Sequence, residues 1–233
     1  MTTTAFLAGS TGLIGSHILP LLTNHPSISH THAYTRRTLP IESPTLTPLT
    51  APDQKTWPSL LIAPYTPSSV FISALGTTRA QAGGLDKQRE IDLDLNLALA
   101  KAAREKGVQV YVIVSSASAS SSSRLPYSKL KGELEDEVIK LGFPHTIILR
   151  PGLIVGERSD SRPAEWLMRK IAGAFGAISP SLKDFWAQDA EVIARAAVRA
   201  AVTCVDKKRE EGVWVLAQGD IVKIGKAPVE GGQ

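Results

Sequence analysis

The sequence predicts an α/β protein: a doubly wound parallel sheet with helices on both faces. Three observations carry this reading. Short apolar, β-branched runs alternate with longer amphipathic runs through the first two thirds of the chain. The strand runs are apolar throughout, as in strands buried on both faces, and do not alternate as in half-exposed ones. A glycine cluster, "LAGSTGLIG" at 7–15, sits where the first strand hands over to the first helix.

The elements follow in order. "TTAFLAG" (3–9) is the first strand. A helix pattern runs over 13–25, with Pro20 as a fault expected to kink or shorten it. A second strand covers 30–35. Residues 36–59 are rich in Pro and Thr and read mostly as loop, with at most one short strand. A buried strand spans 69–76. The strongest helix pattern is 86–107, with Leu93, Leu97 and Ala100 on one face and Gly107 to stop it. Another buried strand (108–116) leads into a serine-rich loop. A helix over 126–142 opens with Pro126, and a strand covers 145–152. Beyond that the pattern loosens into a loop with "ERSDSRP", helices near 164–175 and 188–204, and a strand at 212–217. No linker or repeat appears, which predicts one domain over 1–233. Its core spans about 1–152, and a C-terminal region of about 153–233 shapes a pocket over the open edge of the sheet.

Composition narrows the function classes. With 233 residues, 43% of them hydrophobic, the chain can bury one good core. A net charge of +4 suits an anionic cofactor or an acidic membrane surface, but no Lys/Arg block argues for nucleic acid. Cys204 is the one cysteine, which excludes disulfides and cysteine metal sites and points to a reducing compartment. His25, His30 and His32 cluster without an acid at ligand spacing, so no metal site is expected. No apolar run reaches 18 residues, so no transmembrane helix is predicted, and no cleavable targeting segment is expected ahead of the first strand. The acids of "GELEDE" (132–137) read as a solvated helix face.

Three motifs carry chemistry. Gly9, Gly12 and Gly15, in Gly-x-x-Gly-x-x-Gly spacing, let backbone N–H groups approach a pyrophosphate at a helix N-terminus. About twenty residues on, where NAD binders place an acid against the ribose, the second strand ends in Arg36 and Arg37. Two guanidinium groups there suit the 2′-phosphate of NADP(H). Tyr127 and Lys131 lie four apart and share one helix face, whereas Lys129 does not. A nearby ammonium is expected to pull a tyrosine pKa down from about 10 toward the working range. The preceding strand ends in Ser115 and Ser116, either of which could hydrogen-bond a substrate carbonyl.

Together these residues resemble the short-chain dehydrogenase/reductase superfamily, from the glycine motif through "RPGLIVGE". The likeness implies a Rossmann-like fold. "AGSTGLIG" resembles the family's cofactor loop, which implies contacts from Gly9, Ser10, Thr11, Gly12, Leu13, Ile14 and Gly15. Gly76 and Thr77 of "SALGTTR" are implied adenine and ribose contacts. "VSSASA…YSKLK" resembles the active site: Ser116 to position the carbonyl, Tyr127 as proton donor, Lys131 to hold the nicotinamide ribose. Pro151, Gly152 and Leu153 are implied to line the nicotinamide. Asp92 stands where many members carry a relay asparagine. "LGTTR", "LPYSKLKGELE" and "LRPGLIVGER" are most similar to the atypical group of the Tat-interacting metastasis-suppressor oxidoreductase, and to its fungal branch at the mitochondrial outer membrane. The likeness implies an NADPH-dependent oxidoreductase acting on a small carbonyl or alcohol and attached peripherally to that membrane, with a cytoplasmic location as the alternative. A non-catalytic NADPH-binding scaffold, or an isomerase using the same Tyr and Lys, would carry the same motifs. Residues 38–58 and the tail after 218 match nothing in the group.

Overall fold

The computed structural model describes residues 2–64, 66, 68–155 and 187–228. Its centre is a seven-stranded, all-parallel sheet in the order β3-β2-β1-β4-β5-β6-β9. The strands are β1 (Thr3–Ala8), β2 (Ile28–Thr35), β3 (Leu46–Thr50), β4 (Ser68–Ser73), β5 (Val110–Val114), β6 (His145–Leu149) and β9 (Gly212–Leu216). A separate parallel pair joins β7 (Leu153–Val155) to β8 (Ala187–Asp189). Strand order reverses at β1, which opens a crevice at the carboxyl ends of β1 and β4. This is the Rossmann-like, doubly wound sheet that the alternating runs predict.

Period-2 alternation sorts the strand side chains into two cores. On one face Leu7, Ile72, Val112 and Ile147 meet α1 (Gly15–Thr23) and α6 (Ala190–Val205). On the other, Phe6, Phe71, Tyr111 and Ile148 meet α4 (Asn96–Glu105) and α5 (Pro126–Lys140). An aromatic ladder stiffens this second core: Phe71 stacks on Tyr111 at 5.3 Å and Tyr111 on Phe143 at 4.7 Å. Pro20 lies inside α1, which ends at Thr23, short of the expected His25.

Two stretches carry more structure than their composition suggests. Residues 36–59 supply the edge strand β3 and most of a 3-10 turn over Gln54–Leu60. Trp57 of that turn is buried against Tyr34, its ring 5.4 Å away. The tail forms α7 (Gln218–Lys226), capped at its end by Arg199, which donates to the carbonyls of Ile224 at 2.6 Å and Ala227 at 2.7 Å.

The described part of 153–233 is integral to the main sheet and its core. β9 extends the main sheet and α6 fills one of its cores, so this region belongs to the same packed unit as the rest. "ERSDSRP" and the helix expected near 164–175 lie outside the described residues. The long helix expected over 86–107 follows a short α2 (Arg79–Ala82) and is instead three pieces: α3 (Leu85–Arg89), a wider π-type turn (Glu90–Leu95) and α4. The Asn96 amide donates to the carbonyls of Ile91 and Asp92 within that wide turn, at 3.1 and 3.3 Å.

Candidate functional site

The glycine cluster forms a close-packed turn at the switch point. Gly9 has a φ of +85°, and a β carbon there would stand 2.7 Å from the carbonyl of Ala74. A β carbon on Gly15 would stand 1.9 Å from the Gly9 oxygen. The Gly9 carbonyl accepts from the Gly12 N–H at 2.9 Å, and the buried Ser10 hydroxyl donates to the Tyr34 carbonyl at 2.8 Å. Thr11 is exposed, Leu13 half-buried and Ile14 buried. Helix α1 therefore begins pressed against the crevice. Its N-cap Ile14 makes no side-chain cap bond and its first turn holds no acid. The partial positive charge of the helix start is left for another anion, which fits a phosphate group.

Arg36 and Arg37 follow β2 and are exposed. The Thr35 hydroxyl donates to the Arg37 carbonyl at 2.5 Å and accepts from its N–H at 3.2 Å, so the chain turns sharply there. Gly76 and Thr77 follow β4. The Thr77 N–H donates to the fully buried carboxylate of Asp92 at 2.7 Å, and the Gln88 amide donates to the Thr77 carbonyl at 3.1 Å. The wide turn ahead of α4 is what brings Asp92 to this strand end.

Ser116, Tyr127 and Lys131 gather at the ends of β5 and α5. Tyr127 is 42% exposed, while Lys131, one turn further on, is buried. The Lys131 ammonium donates to the Val114 carbonyl at 3.4 Å. A β carbon on Gly76 would lie 3.9 Å from that ammonium and 4.0 Å from Asp92 Oδ1, so the two charges flank Gly76. Burial pushes the Lys131 pKa down, and the Asp92 and Glu135 carboxylates oppose the shift. The Tyr127 pKa is raised, first by burial and then by the Asp92 charge, with the neighbouring Ser116 hydroxyl working the other way. This differs from the expectation that Lys131 draws the tyrosine pKa down: Lys131 is not among the groups that move it. The phenol is held in its neutral form. Asp92 is itself pushed up by burial, against the pull of Lys131 and the Thr77 N–H.

Pro151, Gly152 and Leu153 follow β6, in the order buried, half-buried and exposed. They are tied to the β5 side by the Ala117 N–H, which donates to the Pro151 carbonyl at 2.8 Å. Arg36 and Arg37 stand apart from this group. From β2 to β6 is four strand steps, a span of roughly 20 Å at about 4.8 Å per step.

Sequence reasoning missed two supporting side chains. Glu135 was expected on a solvated face, but it is 2% exposed. It accepts from the Ser115 hydroxyl and from Arg150, whose Nε and Nη2 reach its two oxygens at 3.1 and 2.5 Å. Its spacing of i,i+4 from Lys131, on a stripe beside Leu134 and Val138, is the signal that could have found it. Gln188 is buried too. Its oxygen accepts from the Gly152 N–H at 3.2 Å and its amide donates to the Gln218 carbonyl at 2.8 Å, pinning the loop after β6 to the start of α7.

The HIM1 family profile matches residues 50–174, more than half of the chain. The mitochondrial protein fmp52-1 of Aspergillus terreus is 48% identical over 226 residues, covering 94% of this chain and 97% of the relative. The chain belongs to the HIM1 family, among the fungal fmp52 proteins. Solved structures share the fold of this chain. MoeE5, in complex with UDP-glucose and NAD, superposes with a TM-score of 0.65 at 18% identity, covering 95% of this chain and 80% of its own. A short chain dehydrogenase family protein from Francisella tularensis gives 0.63 at 12% identity, covering 94% and 99%.

In this family member the serine-rich loop lies directly on α5. A β carbon on Gly132 would stand 2.1 Å from the Ser121 nitrogen and 2.2 Å from the Ser120 carbonyl carbon. Both are backbone atoms and cannot swing aside. Gly132→Ala would gain up to about 1 kcal/mol of helix propensity. Displacing the loop costs about 1–3 kcal/mol, so the clash wins. The variant is expected to unfold at lower urea concentration than the parent. An equal or higher midpoint would contradict this packing.

Proposed function

We propose that the chain is an NADPH-binding oxidoreductase that reduces a small carbonyl compound or oxidises the matching alcohol. One observation carries this reading: the glycine turn and the Tyr-Lys helix meet on a single strip of backbone. Gly9 presses on Ala74 and Leu75, and the next residue, Gly76, is flanked by the Lys131 ammonium and Asp92. A ligand lying along that strip would touch the phosphate cradle with one part and the Ser116–Tyr127–Lys131 group with another.

The chain's own groups divide the work. The start of α1 and the turn 9–15 would hold a pyrophosphate. Arg36 and Arg37 would pair with a 2′-phosphate, two guanidinium groups standing at the strand end where NAD binders place an acid against the ribose. Gly76 and Thr77 would border the adenosine side, Lys131 would hold ribose hydroxyls, and Pro151–Leu153 would cover the reacting end. The chemistry that a reduced nicotinamide would supply, if held there by these residues, is a hydride for a carbonyl carbon. Ser116 orients the carbonyl oxygen. Tyr127, kept neutral by burial and Asp92, delivers the proton to that oxygen as the C=O bond becomes CH–OH. A neutral phenol at neutral pH favours the reductive direction, in which it is the donor.

Among the described residues no helix is long and apolar enough to cross a membrane. The relative's name places that protein in mitochondria. With this chain's net charge of +4, both support peripheral attachment to the acidic surface of the mitochondrial outer membrane.

Carbonyl compounds screened for oxidation of NADPH by the pure protein provide the assay. Tyr127→Phe removes one oxygen atom from a partly exposed ring. It is expected to bind NADPH as the parent does and to reduce the carbonyl at least about 10²-fold more slowly. Undiminished reduction would remove Tyr127 from the chemistry, and a full screen without turnover would leave a cofactor-binding scaffold. For location, alkaline carbonate is expected to release the protein from mitochondrial membranes into the supernatant. Retention in the pellet would rule out peripheral attachment.

A further inference from the structure

Three backbone segments that bear the candidate active site converge on one carboxylate. Glu135 lies one helical turn beyond Lys131 and is buried at 2% exposure. The Ser115 hydroxyl donates to it, and Ser115 immediately precedes Ser116. Arg150 grips it through Nε at 3.1 and 3.2 Å and through Nη2 at 2.5 Å, and Arg150 immediately precedes Pro151–Leu153. The backbone is registered at the same two points: Ser115 N–H donates to the Leu149 carbonyl at 2.7 Å, and Arg150 N–H to the Leu216 carbonyl at 2.9 Å.

We propose that Glu135 is a positioning residue whose negative charge, and not merely its hydrogen bonds, keeps the Lys131 ammonium charged and in place beside Gly76 while fastening the Ser116 and Pro151 segments around it. The inference rests on the cofactor-binding reading above. Among the described residues, the charged and polar groups that act on Lys131 are Asp92 from the wide turn before α4, Glu135 from its own helix and the Val114 carbonyl from β5. Arg150, on the far side of Glu135, is partly exposed and balances that carboxylate. Burial alone drives Lys131 toward the neutral amine, and the two carboxylates oppose it. Without the Glu135 charge, only Asp92 remains to do so. Asp92, the stronger of the two influences on Lys131, is itself pushed up by burial, so the ammonium would keep a single counter-charge that burial already weakens.

Glutamine at 135 separates charge from connection, because its amide oxygen still accepts from Ser115 or Arg150 but carries no charge. The sign follows. Removing a negative neighbour lets the ammonium lose its proton at lower pH, so the defect appears at the alkaline end. Calorimetric titration with NADPH is run at about pH 7 and about pH 9 on the parent, Glu135→Gln and Glu135→Asp. The parent and Glu135→Asp are expected to change little between the two. Glu135→Gln is expected to bind near the parent's affinity at the lower pH and at least about twofold more weakly at the higher, where part of the Lys131 population has lost its proton. A Glu135→Gln variant that matches the parent at both values overturns the inference and leaves the cofactor reading intact. Equal weakening at both, shared by Glu135→Asp, makes Glu135 a plain structural tie and also overturns it. If the parent binds neither NADPH nor NADH, the cofactor reading falls and this one with it. Should Glu135→Gln fail to fold around an unpaired Arg150, the Glu135→Gln/Arg150→Met pair carries the same titration and the same outcomes.

Discussion

The contact of Gly15 with the carbonyl of Gly9 is the constraint on which the rest of the site depends. Helix α1 starts so close to the end of β1 that no side chain fits at either position: a β carbon on Gly15 would lie 1.9 Å from the Gly9 oxygen. That approach sets the helix start at the crevice of the strand-order switch, beside the ends of β1 and β4. It also seats Gly9 against Ala74 and so fixes where β4 ends. Gly76, Thr77 and Asp92 take their positions from there. The Tyr-Lys helix then meets the same strip from the other side.

Charge organises the second half of the site. Asp92, Lys131 and Glu135 are all buried, and Arg150 partly so. Formally they sum to zero. Burying ions costs several kcal/mol each, and a well-packed apolar cluster would commonly be as stable or more so. Stability alone therefore gives little reason to retain them. What they supply is placement: an ammonium at Gly76, a neutral phenol one turn before it, and two loops drawn to one carboxylate. The aromatic and aliphatic packing beneath them provides a rigid floor on which such an arrangement can be held.

Much of this was legible in the sequence, for reasons that differ by element. Strands such as 69–76 and 108–116 announce themselves because burial on both faces demands an unbroken apolar run. The glycine spacing is legible because only glycine meets the steric demand at Gly9 and Gly15. β3 was obscured by Pro48, which breaks a strand pattern in a central position but is tolerated at a sheet edge, where β3 lies. The turn around Trp57 was hidden because its burial comes from contact with Tyr34, far off in sequence. The break in the 86–107 helix leaves no mark in its periodicity, since a π-type turn adds a single residue. Glu135 was misread because an acid among acids looks solvated, and its partner Arg150 lies on another element. The expectation for Tyr127 erred because one helical turn suggested that the Lys131 charge would act on the phenol, whereas desolvation and Asp92 raise its pKa and the opposing influence is the Ser116 hydroxyl.

The central claim is that the turn at 9–15 is a dinucleotide cradle, and calorimetric titration of the parent and of Gly12→Val with NADPH and NADH tests it most directly. A β carbon at Gly12 meets only the Gly9 oxygen at 3.2 Å and the Ala74 oxygen at 4.0 Å. The first contact is tight and the turn must yield by a few tenths of an ångström, so valine is expected to keep the parent's circular dichroism spectrum with a lower unfolding midpoint, while its branched side chain occupies the space above the turn. The account predicts that the parent binds NADPH at least about tenfold more tightly than NADH, about 1.4 kcal/mol, and that folded Gly12→Val binds neither. NADPH bound equally well by both proteins would contradict it.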